Sequence, residues 1–264
     1  MKNIEIFTTA DGSLGLYNKE LDEIYHDENG AKTEAFEKFI RPALIIGDKA
    51  VDILDICYGI GYNTKTAIEH FKKIKSIDCL EINAELVYKS ADFEFDEKIN
   101  KIIAKNLVKP DLIHFYIDDA RKSIKNLNKS YDIIFHDGFS PQKQAVLWSE
   151  EFISEIAKHL KKDGIYVTYN HSKPVLNALY KAGLNLGKTL VNDRMTAIVA
   201  SFNPEMIKIP FSDVELGELN TKSAITYKDK NLDLTHSQIV QNREDEIQTS
   251  KLDTLSSYKK NQNY

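Results

Sequence analysis

Three carboxylates follow apolar runs that read as β-strands, and each would stand at the carboxyl end of its strand. They are Glu81, Asp119 and Asp137. In open α/β sheets, ligands bind outside the carboxyl ends of the strands, near the point where the strand order reverses. We therefore expect the three to face one ligand site, with Asp137 nearest its reactive end. The structural alternatives are helix capping for Glu81 and Asp119, and turn formation before Gly138 for Asp137.

A Gly-x-Gly turn precedes these carboxylates in the segment 53–64, ILDICYGIGYNT, which reads as a buried strand, a tight turn and the start of a helix. Glycines let a ligand approach the backbone closely at such a turn. A dinucleotide motif would need a third glycine where Thr64 stands, and Lys65 is not in a P-loop context. Glu81, about twenty residues further on, is placed to accept hydrogen bonds from a ribose diol. Ribose and adenine without phosphate favour S-adenosylmethionine, and Asp119 could then accept from the adenine amino group.

The elements that must position these residues follow from the hydrophobic pattern between 51 and 202, which alternates strand-like with helix-like runs. This alternation predicts an α/β fold with a mostly parallel sheet and helices on both faces. We predict seven strands, at 52–56, 76–81, 111–117, 131–136, 164–169, 184–190 and 195–202. Helical periodicity is clearest in 149–162, after an N-cap candidate at Ser149 and before Gly164.

The predicted organisation has three parts: an N-terminal cover (1–50), a methyltransferase domain (51–205) and a polar C-terminal appendage (206–264). The cover contains an amphipathic stretch at 34–46. The appendage contains one predicted helix at 236–249 and a lysine- and asparagine-rich end that we expect to fray.

Composition excludes several classes of protein. With 42% hydrophobic and 28% charged residues, the 264-residue chain matches an ordinary globular protein and not a disordered, collagenous or disulfide-stapled one. Its apolar runs are too short for a membrane span, and its first residues do not read as a secretory signal, so a cytoplasmic location is expected. Two cysteines and seven scattered histidines predict no metal site. A net charge of −5 disfavours binding to nucleic acid through bulk charge but does not exclude an RNA substrate.

An ordered series of motifs over residues 7–202 resembles the methyltransferase module of the MnmC family. That family completes 5-methylaminomethyl-2-thiouridine at the wobble position of tRNA. The motifs include TTADGSLGLYN at 8–18, DEIYH at 22–26 with Gly30, Ala31 and Glu34, DICYGIGYN at 55–63, DDAR at 118–121 and DGFSPQK at 137–143, followed by Trp148 and Arg194-Met195. Cys57 replaces a glycine that is usual in the family, Gln144-Ala145 an Asn-Pro pair, and Asp118 a glycine.

The resemblance implies a stand-alone methyltransferase with the Rossmann-like class I fold, which uses S-adenosylmethionine and acts on tRNA. Many family members carry a second, FAD-dependent oxidase domain, which would need roughly 300 further residues. We therefore expect a separate FAD-dependent oxidase, or another tRNA-modifying enzyme, as a partner. The predicted cofactor contacts are Asp55, Gly59, Gly61, Asn63, Glu81, Asp119, Ala120 and Asp137.

The expected acceptor is a primary amine, which Asp137 would deprotonate or orient as the catalytic residue. Tyr25, Phe139 and Trp148 are candidates to stack on an extruded base, and Lys143 and Arg194 are candidates to pair with phosphates. The structural alternatives are core packing for Phe139 and Trp148, and solvated charge for the two basic residues. Two other functions stay open: methylation of a small amine or a protein side chain, and a catalytically silent RNA-binding module.

Overall fold

The computed structural model of the chain describes residues 3–191 and 194–261. Ten strands within those ranges form a small sheet and a central sheet. In chain order they are β1 (Ile4–Thr8), β2 (Leu14–Asn18), β3 (Glu23–Ile24), β4 (Val51–Ile56), β5 (Ile74–Glu81), β6 (Ile113–Ile117), β7 (Tyr131–His136), β8 (Leu160–Thr168), β9 (Asn185–Val191) and β10 (Arg194–Ser201). The first three form the small sheet, and the other seven form the central sheet in the order β6-β5-β4-β7-β8-β10-β9.

The α-helices within the described residues are between three and fourteen residues long. They are α1 (Ala31–Glu34), α2 (Arg41–Ala43), α3 (Tyr62–His70), α4 (Ala84–Lys89), α5 (Glu97–Val108), α6 (Ala120–Asn126), α7 (Pro141–Gln144), α8 (Glu150–Lys158), α9 (Lys173–Lys181), α10 (Asp213–Gly217), α11 (His236–Thr249) and α12 (Leu255–Asn261). A π-helical turn spans Ala35–Ile40. Short 3-10 turns span Leu44–Ile46, Ser90–Asp92, Ala145–Leu147, Pro204–Met206, Glu218–Asn220 and Lys222–Ala224.

The central sheet confirms the predicted fold: seven strands, mostly parallel, with helices on both faces. Strands β4 to β8 pair in parallel, and β10 runs antiparallel to both β8 and β9. The chain enters at β4, moves outward to β5 and β6, and returns to β7 on the other side of β4. The strand order therefore reverses between β4 and β7, where a ligand crevice is expected.

Two apolar layers pack on opposite faces of the central sheet. Because side chains alternate along a strand, Leu54 and Ile134 join one cluster while Ile53 and Ile133 join the other. The first cluster includes residues of α8 and α9, and the second includes residues of α3 and α5. Burial on both faces explains why these strands read as continuous apolar runs.

The helix predicted over 149–162 is shorter than expected. Ser149 caps α8, its side chain accepting from the amide of Phe152 at 3.2 Å. The helix ends at Lys158, and Leu160 already pairs with Tyr131 in the sheet. Leu160 has helical spacing in the sequence, but its burial comes from strand pairing, and Gly164 lies within β8.

The N-terminal cover consists of the antiparallel sheet β1–β3 and a continuous helical run from 31 to 46. This run confirms the amphipathic helix expected at 34–46. Phe39 and Ile40 point inward without exposed surface and pack against the central sheet.

Residues 206–261, expected as a polar appendage, pack against the same apolar cluster as α8 and α9. Phe211, Leu219 and Ile239 are buried there. The helix α11 confirms the prediction at 236–249, and the last residues of the expected frayed end, 262–264, lie outside the described residues. No described helix is long and apolar enough to cross a membrane.

Candidate active site

A cavity of about 610 Å³ lies between the carboxyl ends of the central strands and the N-terminal segment 18–29. This volume is within the range of about 300–1,000 Å³ that is usual for ligand pockets. Its walls come from four parts of the chain. They are Asn18, Glu23, Ile24, Tyr25, His26, Asp27, Glu28, Asn29, Glu34 and Lys38 from the N-terminal cover; Cys57 after β4; Leu80, Glu81, Ile82, Asn83, Asp119 and Ala120 at the ends of β5 and β6 or just after them; and Asp137, Gly138, Phe139, Gln144, Val146, Leu147 and Tyr169 after β7 and β8.

The turn after β4 adopts left-handed backbone conformations at alternate residues, with φ of 68° at Cys57, 58° at Gly59 and 83° at Gly61. A side chain at Gly61 would overlap the ring of Tyr58, so the packing and the conformation both require glycine. Gly59 and Gly61 shape this turn, although neither lines the cavity. Cys57 does line it, in a conformation that non-glycine residues adopt at a cost of about 1 kcal/mol or more.

Glu81 connects the turn to the neighbouring strand. One carboxylate oxygen accepts from the amide of Gly59 at 2.9 Å, and the other accepts from the amide of Asn83 at 2.8 Å. Burial raises the pKa of Glu81 above its ordinary value, and these amides oppose the shift. Each oxygen keeps a lone pair, so the carboxylate could accept two hydroxyl groups of a bound ribose.

Asp55 lies below the turn instead of in the cavity wall, because it points into the core from the buried strand β4. It has no exposed surface, and its carboxyl accepts from the hydroxyl of Thr64 at 2.6 Å. Burial raises the pKa of Asp55 to about 7, although the Thr64 hydrogen bonds oppose the shift. The structure therefore does not bring Asp55 to the ligand as predicted.

Asp137 lines the cavity at the end of β7 and is half-buried. Its amide donates to Ile56, and one carboxylate oxygen accepts from the side-chain amide of Asn63 at 2.8 Å. Burial, followed by the charge of Glu34, raises the pKa of Asp137 well above its ordinary value, and the Asn63 hydrogen bond opposes the shift. Asn63, predicted as a cofactor contact, instead holds Asp137 and does not line the cavity.

Asp119 and Ala120 lie in the cavity wall at the start of α6. The Asp119 carboxylate caps the helix by accepting from the amide of Arg121 at 2.9 Å, and it also pairs with the Arg121 guanidinium at 2.7 Å. Burial would raise the pKa of Asp119, but Arg121 outweighs it and holds the pKa below its ordinary value. The capping role and the ligand-facing position therefore coexist at this residue.

Two of the three predicted aromatic residues line the cavity and pack against each other in its wall. The rings of Tyr25 and Phe139 meet edge to face, with centroids 4.7 Å apart. Tyr169 completes this wall and donates its hydroxyl to the carbonyl of Gly138 at 2.8 Å. The three rings offer flat apolar surface beside Asp137 on which a planar group could stack.

Trp148 lies in the core, away from the cavity, which corrects its assignment to the substrate surface. Its side chain has no exposed surface, stacks on His136 with centroids 4.1 Å apart, and donates from Nε1 to the carbonyl of Phe139 at 2.7 Å. A buried indole needs such a partner for its N–H. Trp148 therefore supports the loop that carries Phe139.

The two predicted phosphate contacts lie outside the cavity lining. The Lys143 ammonium is 3.9 Å from Asp22 at the edge of the N-terminal cover. Arg194 is exposed at the start of β10. Because Ile198 pairs with Thr168, that start extends beyond the carboxyl end of β8, at the same edge of the sheet as the cavity.

The N-terminal cover supplies cavity residues to which sequence reasoning gave no role. Glu34 accepts from Lys38 Nζ at 2.6 Å and from the amide of Asp27 at 2.6 Å. Glu23 accepts from the amide and hydroxyl of Ser140, both at 3.0 Å, which joins β3 to the Asp137 loop. Glu23 and Glu34 belong to motifs of the resemblance, and that was their only signal in the sequence.

Charge in the cavity is strongly asymmetric. Among the described lining residues, seven are carboxylates and one is a lysine, Lys38. Such a wall attracts a cationic ligand and repels phosphate. S-adenosylmethionine fits these features, since its ribose and adenine suit Glu81 and Asp119 and its sulfonium is cationic. Across 3–191 and 194–261, no group of three or more histidine, cysteine, aspartate or glutamate side chains could hold a metal ion.

Comparison with known proteins agrees with this geometry. Residues 94–202 match the model of a family described as S-adenosyl-L-methionine-dependent methyltransferase. An uncharacterized protein of Methanocaldococcus jannaschii is 30% identical over 253 residues, which cover 90% of this chain and 70% of that protein. The crystal structure of MnmC2 from Aquifex aeolicus superposes with a TM-score of 0.81 at 27% identity, covering 94% of this chain and 86% of that one.

A bifunctional relative from Campylobacter fetus, the tRNA 5-methylaminomethyl-2-thiouridine biosynthesis protein MnmC, is 24% identical over 222 residues. That match covers 75% of this chain but only 36% of the relative. The fold, the cavity and these matches lead to one conclusion: the chain belongs to the S-adenosylmethionine-dependent methyltransferases, as a methyltransferase module of the MnmC type.

Proposed function

We propose that the chain methylates the primary amine of 5-aminomethyl-(2-thio)uridine at the wobble position of tRNA, giving 5-methylaminomethyl-(2-thio)uridine. One observation carries the proposal. The carboxylate of Asp137, the aromatic pair Tyr25 and Phe139, and the carboxylate of Glu81 all open into the same cavity. A base, a stacking surface and a nucleoside-binding carboxylate are the parts that such a transfer needs.

The relatives support this acceptor. The Campylobacter fetus protein is named for tRNA 5-methylaminomethyl-2-thiouridine biosynthesis, and the Aquifex aeolicus structure is named MnmC2. We further propose that the aminomethyl substrate is produced by a separate enzyme, such as an FAD-dependent oxidase, and that both act in the cytoplasm.

The proposed reaction requires a neutral amine. When bound, S-adenosylmethionine supplies an electrophilic methyl group on a sulfonium. An alkylamine with a pKa of about 10.4 is protonated at neutral pH and has no free lone pair. Asp137 would accept that proton or orient the amine, whose nitrogen bonds to the methyl carbon as the carbon–sulfur bond breaks. Alignment of the two atoms at about 3–3.5 Å would supply much of the rate.

Base recognition would come from the aromatic wall. Proteins read single-stranded RNA loops by stacking splayed bases on aromatic side chains. Tyr25 and Phe139 present such rings beside Asp137. Lys143 and Arg194 stand outside the acidic cavity, where phosphates could approach without meeting the seven carboxylates.

The acidic lining also favours a second candidate, a small cationic amine as acceptor. A free polyamine would be attracted by the same carboxylates and would need no basic surface. The acidic lining therefore supports the alternative that the chain is a small-amine methyltransferase.

Labelled S-adenosylmethionine distinguishes the two acceptors. We would incubate the full chain with tRNA that carries 5-aminomethyl-2-thiouridine, with the same tRNA carrying an unmodified wobble uridine, and with free polyamines. The proposal expects label only in the aminomethylated tRNA, recovered as 5-methylaminomethyl-2-thiouridine after digestion. Label in the polyamines with unlabelled tRNA would establish the second candidate instead.

A further inference from the structure

One segment of the C-terminal region forms hydrogen bonds behind two parts of the cavity wall, next to residues that line the cavity. We define residues 227–236 as the C-terminal clamp. The carbonyl of Tyr227 accepts from the amide of Glu150 at 2.8 Å, next to the start of α8. His236 Nδ1 accepts from the amide of Ala145 at 3.0 Å, between two residues that line the cavity.

The clamp reaches the other wall through a row of three charged side chains. The Arg121 guanidinium donates from Nη2 to Asp119 at 2.7 Å and from Nη1 to Asp229 at 2.8 Å. Nη1 also donates to the carbonyl of Leu234 at 2.8 Å. Arg121 therefore has one side on a cavity carboxylate and the other on the clamp, and its planar fork fixes the direction between them.

Asp229 is itself fixed by hydrogen bonds to neighbouring backbone and side-chain groups. The residue has no exposed surface, and its second oxygen accepts from the amides of Asp233 at 2.9 Å and Leu234 at 3.1 Å. Its own amide donates to Glu151 at 2.7 Å. A buried carboxylate is costly unless it is paired and hydrogen-bonded, and Arg121 supplies the compensating charge. This arrangement leaves Arg121 little freedom to turn away from Asp119.

We propose that Asp229 and Arg121 are positioning residues, which orient the Asp119 carboxylate so that it accepts a hydrogen bond from the adenine amino group of S-adenosylmethionine. The inference rests on the cofactor role proposed for Asp119, and it gives the C-terminal region a part in cofactor recognition. Asp119 is 22% exposed on its side chain and opens into the cavity, so the oxygen beside Arg121 Nη2 keeps a lone pair for a ligand.

The test compares two ligands that differ only in the amino group: S-adenosylhomocysteine and its analogue with purine in place of adenine. Calorimetry on the full chain gives both dissociation constants. We expect the wild type to prefer the amino compound by about tenfold or more, as for a hydrogen bond to a charged group. Asp229→Asn and Arg121→Lys should reduce this preference to about twofold or less. Asp233→Asn, an equal charge change on an exposed side chain of the clamp, should keep it.

The preference is a ratio of two constants measured on the folded fraction, so partial unfolding of a variant does not change it. A merely structural role would weaken both ligands equally and leave the ratio at the wild-type value in Asp229→Asn and Arg121→Lys, which would overturn the proposal. The proposal assumes that Asp119 accepts a hydrogen bond from the adenine amino group. Equal affinity of the wild type for both ligands, or an unchanged ratio in Asp119→Asn, would contradict that assumption and overturn the proposal. Neither result touches the tRNA acceptor, which the labelling experiment tests separately.

Discussion

The amide of Gly59 donates to the carboxylate of Glu81 over 2.9 Å, joining the turn after one strand to the end of the next. The turn needs left-handed backbone, and the carboxylate needs donors to remain charged while buried. The hydrogen bond therefore ties the left-handed turn to β5 and gives the buried carboxylate one of its donors. The nucleoside end of the cavity is thus formed in the chain itself, before any ligand binds.

Glu81→Gln tests the nucleoside end. The glutamine keeps the size of the side chain but replaces one acceptor oxygen with a donor, so we expect at least about a tenfold weaker affinity for S-adenosylhomocysteine. Calorimetry measures this, with Glu94→Gln, an exposed site, as the control. Wild-type affinity in Glu81→Gln would reject the ribose contact.

Asp137→Asn tests the reactive end. We expect methyl transfer to fall by about 10²- to 10⁴-fold while S-adenosylhomocysteine still binds, because the amide cannot accept the proton. In the proposed mechanism, the ionised carboxylate of Asp137 is the active form, and burial raises the pKa of this group. The activity of the wild type should therefore decrease as the pH falls through that raised pKa. Single-turnover rates across pH measure both effects, and unaltered turnover in the variant would remove the role of Asp137.

Asp55→Asn tests the carboxyl below the turn. With a pKa of about 7 in the folded chain, Asp55 contributes stability that is complete below the unfolded value of 3.8 and is lost as the pH rises through 7. The asparagine stays neutral, so the variant should be more stable than the wild type at pH 8, by roughly 4 kcal/mol at most. Urea unfolding at pH 5 and pH 8 measures this, with exposed Asp48→Asn as the control. An identical pH dependence in Asp55→Asn and the wild type would contradict the assignment.

Cys57 tests the left-handed backbone of the turn. At its φ of 68°, glycine is favoured over a residue with a Cβ by about 1 kcal/mol. We expect Cys57→Gly to unfold at higher denaturant concentration than Cys57→Ala. At Cys79, which lies within β5, the order of the two variants should reverse. A higher stability of Cys57→Ala than of Cys57→Gly would show that the turn is not strained.

Phe139 and Trp148 test the division between cavity wall and core. Phe139→Leu should raise the KM for the proposed tRNA substrate while stability changes little, because the ring is half-buried on the wall. Trp148→Leu should lower the free energy of unfolding by several kcal/mol, since it removes a fully buried indole. Steady-state kinetics and denaturant unfolding on both variants check this contrast. A stability loss of equal size in the two variants would count against it.

The sheet and its ligand turns were predictable because their signals are local. Buried parallel strands are continuous apolar runs, and the turn after β4 is marked by its two glycines. The end of α8 was not predictable, since Leu160 fits a helix by spacing and a strand by its pairing with Tyr131. Only the folded chain decides between the two.

Single side chains at the site depended on tertiary contacts that the sequence does not display. Asp55 and Glu81 both belong to apolar strands, yet one points into the core and the other into the cavity. The charge of Glu34 acts on Asp137, which lies 103 residues further along the chain. Trp148 packs on His136 of the strand that precedes its own loop. The contribution of the C-terminal region depended on Arg121, whose partner Asp229 is 108 residues away.

The undivided cavity between Glu81 and Asp137 has a consequence for inhibition. A single molecule that tethers adenosine to an aminomethylated pyrimidine would reach both ends without crossing any protein partition. Such a bisubstrate ligand would bring its two halves into the cavity in one association step, so it should dissociate far more slowly than either half alone.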